Sequence, residues 1–492
     1  MYRFRQLFLF LLLLFTSTPA IAVETKSSAL SSLQRYQLPN GLRVWHLPRL
    51  DSKSVIVMLA VNTGSRNETT TNNGISHYLE HMLFNGTDRW NEEQIKDIIS
   101  TRGGIWNGWT NKELTGYYAQ VGDRDADIAL DWLSQIVFHS ILPAEKIDKE
   151  RHVVFQEKGG QYGWLVNKLE AWGYGYDLSR KVSQQLFPNS TLTMSVIGEE
   201  DSLNQINREM LLAYYKQYYT PSNAVLIVVG NITPQQLRAL VKKHFGDLLS
   251  GNKSPDFVTP TSPNAGPYQV KVGGPMLNDQ ISLMTGVQTV GKKHRDRWAL
   301  QVLSEFMDRD LSQEIRTKRG LVYSIGAYNA SFKDVGYFAI STRSEEKHRD
   351  AILQFIDTYI EQLRQGKINA KRLAEAKTAL IGRWSISMEN NMTRASWLLD
   401  WSTILSDDEV VPDYDAEISK VTADDLVRVI QTYFVPQRRF VGIHQPVITV
   451  FSGLLIGGVV LLLIIGGAIG YKLWRRSKDK VIAKANSVEI QI

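Results

Sequence analysis

A faint internal repeat is the feature of this sequence that most constrains its fold. The run Gly116-Tyr117-Tyr118-Ala119 recurs as Gly336-Tyr337-Phe338-Ala339, an offset of 220 residues at the glycines. Each run reads as a strand, and each is followed by a stretch with helical periodicity, 125–137 in the first half and 347–363 in the second. Self-similarity of this kind predicts two copies of one α+β unit.

Local patterns place further elements inside these two units. Asn40-Gly41 predicts the turn of a strand pair, and apolar runs rich in β-branched residues predict strands at 54–61, 224–230 and 281–287. Helices are predicted at 297–307 and from near Glu145 past Glu157. Prolines and serines mark 251–267 as a linker, so we expect a first domain at 33–250 and a second at 268–445.

Composition excludes several classes of protein. At 492 residues the chain is too long for one ordinary domain, which agrees with the two predicted units. The net charge of +6 is mild for this length and gives no case for nucleic-acid binding. The sequence has no cysteine, so any metal must be held by histidine, aspartate or glutamate.

The first residues are typical of an export signal. Arg3 and Arg5 precede the apolar run 7–15, and Ala20-Ile21-Ala22 has the small-x-small pattern of a cleavage site. We therefore predict a signal peptide at 1–22 and a mature start at Val23. An uncleaved signal anchor is the alternative.

The C-terminal region predicts one membrane span. Residues 447–471 carry no charge, and a helix of this length reaches about 37 Å, enough to cross a bilayer. The basic residues that follow predict a cytoplasmic tail at 472–492: Lys472, Arg475, Arg476, Lys478 and Lys480. A buried core helix is the alternative. Gly453 and Gly457, and again Gly466 and Gly470, have the G-x-x-x-G spacing that allows two such helices to pair closely.

The stretch 74–84 contains the strongest candidate for chemistry. On a helix, His77 and His81 project from the same face, and Glu80 lies on the same arc. The order H-x-x-E-H is the inverzincin signature, in which two imidazoles bind zinc and a carboxylate handles a water. An amphipathic helix with surface histidines is the alternative. The early helix of the second half has no histidine, so only the first half can hold the metal.

Zinc needs a third ligand, and the charged helix near 150 offers carboxylates. Glu150 and Glu157 are seven residues apart and therefore share one helix face. A solvated surface helix shows the same spacing, so the spacing alone does not choose between a ligand pair and an exposed face.

Together, 74–87 and 150–157 resemble the pitrilysin/insulinase (M16) family of zinc metallopeptidases, above all its shorter members related to the mitochondrial processing peptidase. The resemblance implies that His77, His81 and Glu157 bind one zinc ion (Zn2+) per chain, that Glu80 is the general base, and that Glu150 supports catalysis. The stretch 104–110 resembles the family's edge strand, which pairs with the substrate backbone through Asn107 and Gly108. Alanine is usual in the family where this chain has Gly108.

The second half resembles the family as well. Residues 311–323 look like the segment whose arginine and tyrosine reach the zinc site from the opposite half, here Arg316 and Tyr323. The match covers roughly 33–440. It implies a clamshell of four α+β units, each a sheet with helices packed on one face. This chain supplies two of them, so a homodimer, or a heterodimer with a related chain, is implied.

These features together predict a membrane-anchored zinc metalloendopeptidase that cuts peptides or unfolded polypeptides. The export signal and the span predict a single-pass protein of the cytoplasmic membrane with its body in the periplasm. A glycan at the sequon of Asn85 would crowd the metal helix, which favours a bacterial periplasm over a eukaryotic secretory route. Two other classes remain open: a catalytically silent scaffold subunit, and a membrane-anchored protein that holds unfolded polypeptides without cutting them.

Overall fold

The structure is a computed structural model that describes residues 30–159, 178–261, 266–274 and 278–488, with side chains through Lys480. The predicted signal peptide at 1–22 lies outside the described residues, as do parts of the predicted linker and the last residues of the predicted tail.

The first unit is built on a six-stranded sheet with the order β1-β2-β6-β3-β5-β4. Gly41 takes a φ of 92° in the turn between the first two strands, as the Asn40-Gly41 pair predicts. The strands predicted at 54–61 and 224–230 have those bounds in the structure. The strands are β1 (Gln34–Gln37), β2 (Arg43–Pro48), β3 (Ser54–Val61), β4 (Ile105–Thr110), β5 (Thr115–Gly122) and β6 (Ala224–Gly230).

Apart from the helix Leu178–Leu186, the helices of the first unit pack on one face of this sheet through a shared apolar cluster. The helix that carries Glu157 was expected to run past that residue, which is wrong: it ends there, because Gly159 takes a left-handed φ of 100°. The helices are α1 (Ile75–Met82), α2 (Glu92–Ser100), α3 (Ala126–Phe138), α4 (Ile147–Glu157), α5 (Leu178–Leu186), α6 (Glu200–Gln205), α7 (Arg208–Tyr218) and α8 (Pro234–Phe245).

The second unit repeats the topology of the first. Its five-stranded sheet has the order β7-β11-β8-β10-β9, which matches β2-β6-β3-β5-β4 strand for strand. The parallel pairs are β2 with β6 in the first sheet and β7 with β11 in the second, and the other pairs are antiparallel. The predicted internal repeat is therefore confirmed. The strands are β7 (Tyr268–Gly274), β8 (Gln280–Val290), β9 (Ser324–Ser331), β10 (Val335–Glu345) and β11 (Arg439–Pro446).

Six helices of the second unit complete its fold within the described residues. A π-helical turn, Ser312–Thr317, follows the first of them directly. The helices are α9 (Asp296–Leu311), α10 (Arg349–Arg364), α11 (Ala370–Ser387), α12 (Asn391–Ser402), α13 (Tyr414–Lys420) and α14 (Ala423–Tyr433).

The two units exchange one helix each. Helix α5 of the first half lies on β7 and β11 of the second sheet, and α12 of the second half lies on β3 and β6 of the first. A Cβ at Gly442 would come within 2.8 Å of Val182 Cγ2, so the close approach of α5 to β11 requires glycine there. Because Ile56, Ile227 and Leu398 share one buried cluster, the two units have a common core.

A buried arginine adds a polar connection between the units. The Arg66 guanidinium is almost fully buried and donates to both carboxylate oxygens of Asp334, at 2.8 Å each, and to Glu113 at 2.7 Å. Such bidentate pairs fix orientation as well as charge. The position of the first unit relative to the second is therefore held by packing and by ion pairs.

The last helix, α15 (Val450–Val488), follows β11 after three residues. Its segment Val450–Lys480 is long and apolar enough to cross a membrane and is not buried against the body. The helix that contains most of the span predicted at 447–471 thus begins at Val450, and it continues into the predicted basic tail because no proline interrupts it.

Candidate metal centre

Helix α1 is held at its N-terminus by a buried carboxylate. Glu68 accepts hydrogen bonds from the backbone N–H groups of Gly74 and Ser76, at 2.7 and 2.9 Å, and from Asn73 Nδ2 at 2.7 Å. The two backbone groups are donors that a helix leaves unpaired in its first turn. Gly74 has a φ of 96° and packs so closely on Gly198 that a Cβ would lie 2.7 Å from its Cα.

The faces of α1 divide as its sequence predicts. The apolar face, with Ile75, Leu79 and Met82, is buried in the core of the first unit. The Tyr78 hydroxyl donates to the carbonyl of Ile147 and ties α1 to the first turn of α4. The opposite face therefore presents its histidines toward α4 and Glu80 toward β4.

His77, His81 and Glu157 meet between these two helices. Glu157 Oε2 lies 3.4 Å from His77 Nε2 and 3.6 Å from His81 Nε2, and the three ligand atoms all lie within 4.8 Å of one another. Two imidazoles and one carboxylate form the donor set of open, catalytic zinc sites. The residues fit a zinc ion, as the resemblance to M16 peptidases implies.

The two imidazoles differ in their electrostatics. Burial, together with the charge of His81, lowers the pKa of His77 to about 4, so its ring is neutral at pH 7. Burial also lowers the pKa of His81, but the hydrogen bond to Glu150 and the charge of Glu157 outweigh it and raise that pKa overall. The Nδ1 atom of His77 is buried and has no hydrogen-bond partner among the described residues.

Glu150 contacts the back of the His81 ring. Its Oε2 lies 3.5 Å from His81 Nδ1, while Glu157 approaches the Nε2 side. A carboxylate at Nδ1 fixes the tautomer and leaves the Nε2 lone pair for a metal. The shared helix face of Glu150 and Glu157 thus places one residue behind the histidine and the other beside its ligand atom.

Glu80 sits next to this group and is held by strand β4. The Thr110 hydroxyl donates to Glu80 Oε2 at 2.7 Å, and a Cβ at Gly108 would lie only 2.8 Å from Oε1. Burial raises the pKa of Glu80, while the hydrogen bond from Thr110 opposes this rise. Glycine at 108 therefore leaves room for the carboxylate that faces the histidines.

One cavity of about 550 Å³ brings most of the predicted site together. Seven of the nine predicted site residues line it: His77, Glu80, His81, Asn107, Gly108, Glu150 and Glu157. Among the described residues, strand β4 pairs only with β5, so within that part of the chain no other strand occupies its outer edge. The Asn107 side chain accepts a hydrogen bond from the Gly108 N–H at 3.0 Å.

The structure does not bring Arg316 and Tyr323 to this cavity. Arg316 is exposed on the π-helical turn, and Tyr323 is exposed at the start of β9, where its N–H donates to the Arg343 carbonyl. Both residues belong to the second unit and line a different surface of the same chain.

Two residues at the site were not predicted from the sequence. Thr110 shares a strand face with Gly108, two positions away, so the period of a strand could have identified it as a neighbour of Glu80. Glu68 stands six residues before Gly74, and an acidic residue ahead of a helix is a capping signal. Its distance from the helix start hid this signal.

The sequence matches one protein family at two places. Residues 48–161 match the description "Insulinase (Peptidase family M16)", and residues 205–380 match "Peptidase M16 inactive domain". The first range contains the whole candidate metal centre. The second contains no comparable group of metal-binding side chains among the residues the structure describes.

Full-length relatives and solved structures agree with these matches. An uncharacterized zinc protease of Mycobacterium leprae is 31% identical over 76% of this chain and 82% of its own length. The uncharacterized zinc protease YmxG of Bacillus subtilis is 29% identical over 74% and 86%. The crystal structure of a protease from Helicobacter pylori aligns with a TM-score of 0.74 at 22% identity, over 84% of this chain and 99% of that one.

Proposed function

The chain belongs to the insulinase family of peptidases, M16, and we propose that it is a membrane-anchored zinc metalloendopeptidase acting on peptides or unfolded polypeptides. The observation that carries this proposal is the meeting of His77 Nε2, His81 Nε2 and Glu157 Oε2 beside Glu80 in one open cavity. These three side chains would hold the zinc. When bound, zinc would acidify a water and polarise the carbonyl of the bond to be cut.

Glu80 acts as the general base in this proposal. Its Oε2 is occupied by the Thr110 hydroxyl, so Oε1 is the atom that takes the proton of the attacking water. The same oxygen then delivers that proton to the leaving amine. Burial raises the pKa of the carboxyl, which makes it a better proton acceptor than an exposed glutamate.

The free edge of β4 would hold the substrate. An extended peptide added to this edge would pass Gly108, whose neighbour is Glu80, and recognition through backbone groups would accept many sequences. This mode suits peptides and unfolded polypeptides, because only an extended chain offers its backbone groups for pairing.

We assign the protein to the cytoplasmic membrane, with a single span and its body in the periplasm. Helix α15 has the length for one crossing, and the basic residues after Tyr471 favour a cytoplasmic tail. We also propose a dimer, with a second copy or a related chain, in which Arg316 and Tyr323 of one protomer face the metal centre of the other. Their position outside the cavity of their own chain supports this arrangement.

The test uses the full-length protein in detergent. We expect it to contain one zinc per chain, to cut a random peptide library, to lose activity with a chelator and to regain it with zinc. Glu80→Gln should keep the zinc and lose turnover by orders of magnitude, because only the base is removed. Glu209→Gln, on an exposed part of α7, is the matched control and should keep full activity.

Near wild-type cleavage by Glu80→Gln would remove Glu80 from the role of base. A zinc-loaded protein that cuts no peptide in the library would refute the peptidase proposal.

A further inference from the structure

The metal cavity adjoins a second, larger cavity. The cavity over the histidines measures about 550 Å³, and its neighbour about 710 Å³. Two side chains, Asn85 and Lys96, line both of them. A peptide that extends from the metal centre toward the larger cavity would therefore run past these two residues.

Lys96 differs in charge from its surroundings in the metal cavity. Among the described residues that line this cavity, it is the only lysine or arginine. The other charged side chains there are the carboxylates Glu80, Glu150 and Glu157, besides the two histidines. None of the roles described above uses Lys96.

The ammonium of Lys96 is paired, but its partner is shared. Glu92 Oε1 lies 2.6 Å from Lys96 Nζ, and the same carboxylate contacts Lys146 at 2.7 Å and Lys149 at 3.2 Å. Three ammonium groups thus surround one carboxylate. Lys96 can turn toward the metal cavity without leaving Glu92 unpaired, and a second carboxylate would improve the local charge balance.

Asn85 contributes an acceptor at the same place. Its side chain is only 4% exposed, and Nδ2 donates to the His81 carbonyl at 3.0 Å. The other amide atom, Oδ1, is buried and has no hydrogen-bond partner among the residues described. A buried acceptor without a donor costs free energy, which a substrate N–H would recover.

Strand β4 relates the position of Lys96 along a bound peptide to that of the reacting atoms. Trp106 Nε1 donates to the Lys96 carbonyl at 3.0 Å, and Trp106 is two residues along the strand from Gly108, which lies against Glu80. Two residues of a strand span about 7 Å. A peptide lying along β4 would therefore present to Lys96 a group about two residues from the bond that is cut.

We propose that Lys96 and Asn85 form a substrate subsite for a peptide carboxylate about two residues from the scissile bond, with Asn85 accepting the adjacent backbone N–H. The proposal rests on the proposed peptidase function and names its substrate preference. The carboxylate is either an aspartate or glutamate side chain or the C-terminal carboxylate of a short substrate. The larger cavity is lined by charges of both signs, so the preference for a carboxylate is assigned only to Lys96 and Asn85, which line both cavities.

The test uses the full-length protein and one peptide found to be cut. Each position within three residues of the cleaved bond is changed in turn to Glu, Ala or Lys, and the C-terminus is offered as a carboxylate or an amide. Binding of the same fluorescent peptides to zinc-loaded Glu80→Gln is measured in parallel. The variants are Lys96→Met, Lys96→Glu and, as matched control, Lys149→Met, which removes a Glu92 partner that does not line either cavity.

At one position, two residues from the cleaved bond, we expect the peptide with glutamate to have a kcat/KM and an affinity about tenfold higher than those of the peptide with lysine. A preference for the carboxylate over the amide in its place identifies the C-terminal group as the source. Lys96→Met should abolish the preference, Lys96→Glu should reverse it, Lys149→Met should leave it intact, and added salt should weaken it.

An acidic preference that survives Lys96→Met would overturn the proposal, as would the absence of any such preference. Charge-selective binding to Glu80→Gln without cleavage by the wild type would support the subsite and contradict the peptidase function. If the peptides are neither bound nor cut, both proposals fall.

Discussion

Replacing Glu68 by glutamine tests how the metal helix is held in place. The carboxylate accepts three hydrogen bonds with both of its oxygens, and two of the donors are the first free N–H groups of α1. Glutamine keeps one oxygen and turns an NH2 group toward donors that it cannot pair with. Glu68→Gln should therefore loosen the first turn of the helix that carries His77, Glu80 and His81.

The expected cost follows from these contacts. A buried N–H left without its charged acceptor costs about 1–3 kcal/mol, and the lost negative charge at the helix N-terminus adds about 0.3–1 kcal/mol. Burial raises the pKa of Glu68, which means that the buried charge itself is unfavourable. Removing this charge therefore offsets part of the cost. A net loss of about 2 kcal/mol remains, which corresponds to an affinity for zinc about 30-fold lower if the metal must reorder the helix.

The assay is competition for zinc between the full-length protein and a chromogenic chelator. Thr233→Ala is the control: Thr233 caps α8 in the same unit and does not line the metal cavity, and loss of such a cap costs about 1 kcal/mol. We expect Thr233→Ala to lower stability and to leave zinc affinity unchanged. Unchanged zinc affinity in Glu68→Gln would refute the reasoning, because it would mean that the charge of Glu68 does not hold α1.

Four further outcomes are expected. Thr110→Val should keep the zinc, lower kcat about tenfold and move the acidic limb of the pH profile to higher pH, because the hydroxyl that opposes the raised pKa of Glu80 is lost. Thr110→Ser should restore the kcat and the pH profile. An acidic limb that does not move in Thr110→Val would contradict the role of Thr110. Burial lowers the pKa of His46 from 6.5 to about 4, so the folded state disfavours the charged ring. The free energy of unfolding should therefore fall as the pH drops from 6.5 to 4. Unfolding measured against pH should show a smaller loss in His46→Asn. Protease added from the periplasmic side should digest the body and spare a tag placed after Ile492; a protected body would reverse the topology. Mixing Glu80→Gln with Tyr323→Phe should restore activity toward half of wild type per dimer, since one site then carries neither lesion; no recovery despite confirmed subunit exchange would exclude sites completed by the partner.

Much of the fold could be predicted because local patterns and tertiary structure agree. The strand at 54–61 is a continuous β-forming run, and in the structure all but its first residue are buried. The strand at 224–230 ends where Gly230 takes a φ of 140°, which a side chain would resist. The repeat at Gly116 and Gly336 correctly predicted two copies of one unit, because the two glycines lie in equivalent strands, β5 and β10.

The remaining features depend on contacts between distant parts of the chain. The exchange of α5 and α12 between the sheets leaves no local signal, since the sequence of a helix does not say which of two sheets it packs against. Lys96 reads as a solvated surface residue paired with Glu92 at i and i−4, and only the fold reveals that it borders the metal cavity. The spacing of Glu150 and Glu157 fixed a common face but not which carboxylate meets which histidine nitrogen.

The same pair of facing helices occurs in both units, and its contents explain why only one unit is suited to a metal. In the first unit α1 faces α4, and the space between them contains His77, His81 and Glu157. The equivalent pair in the second unit is α9 and α11, which follow the corresponding strands. Two ion pairs border their contact, Arg372 with Asp310 and Arg383 with Glu305. The contact itself is filled by apolar side chains: Leu303, Phe306, Met307, Leu373, Ala376 and Leu380. The two carboxylates at this contact are paired with arginines, and no imidazole is among the side chains named, so the contact offers no free set of metal ligands. The second unit therefore stabilises the shared core, while the first keeps an open polar face at the equivalent position.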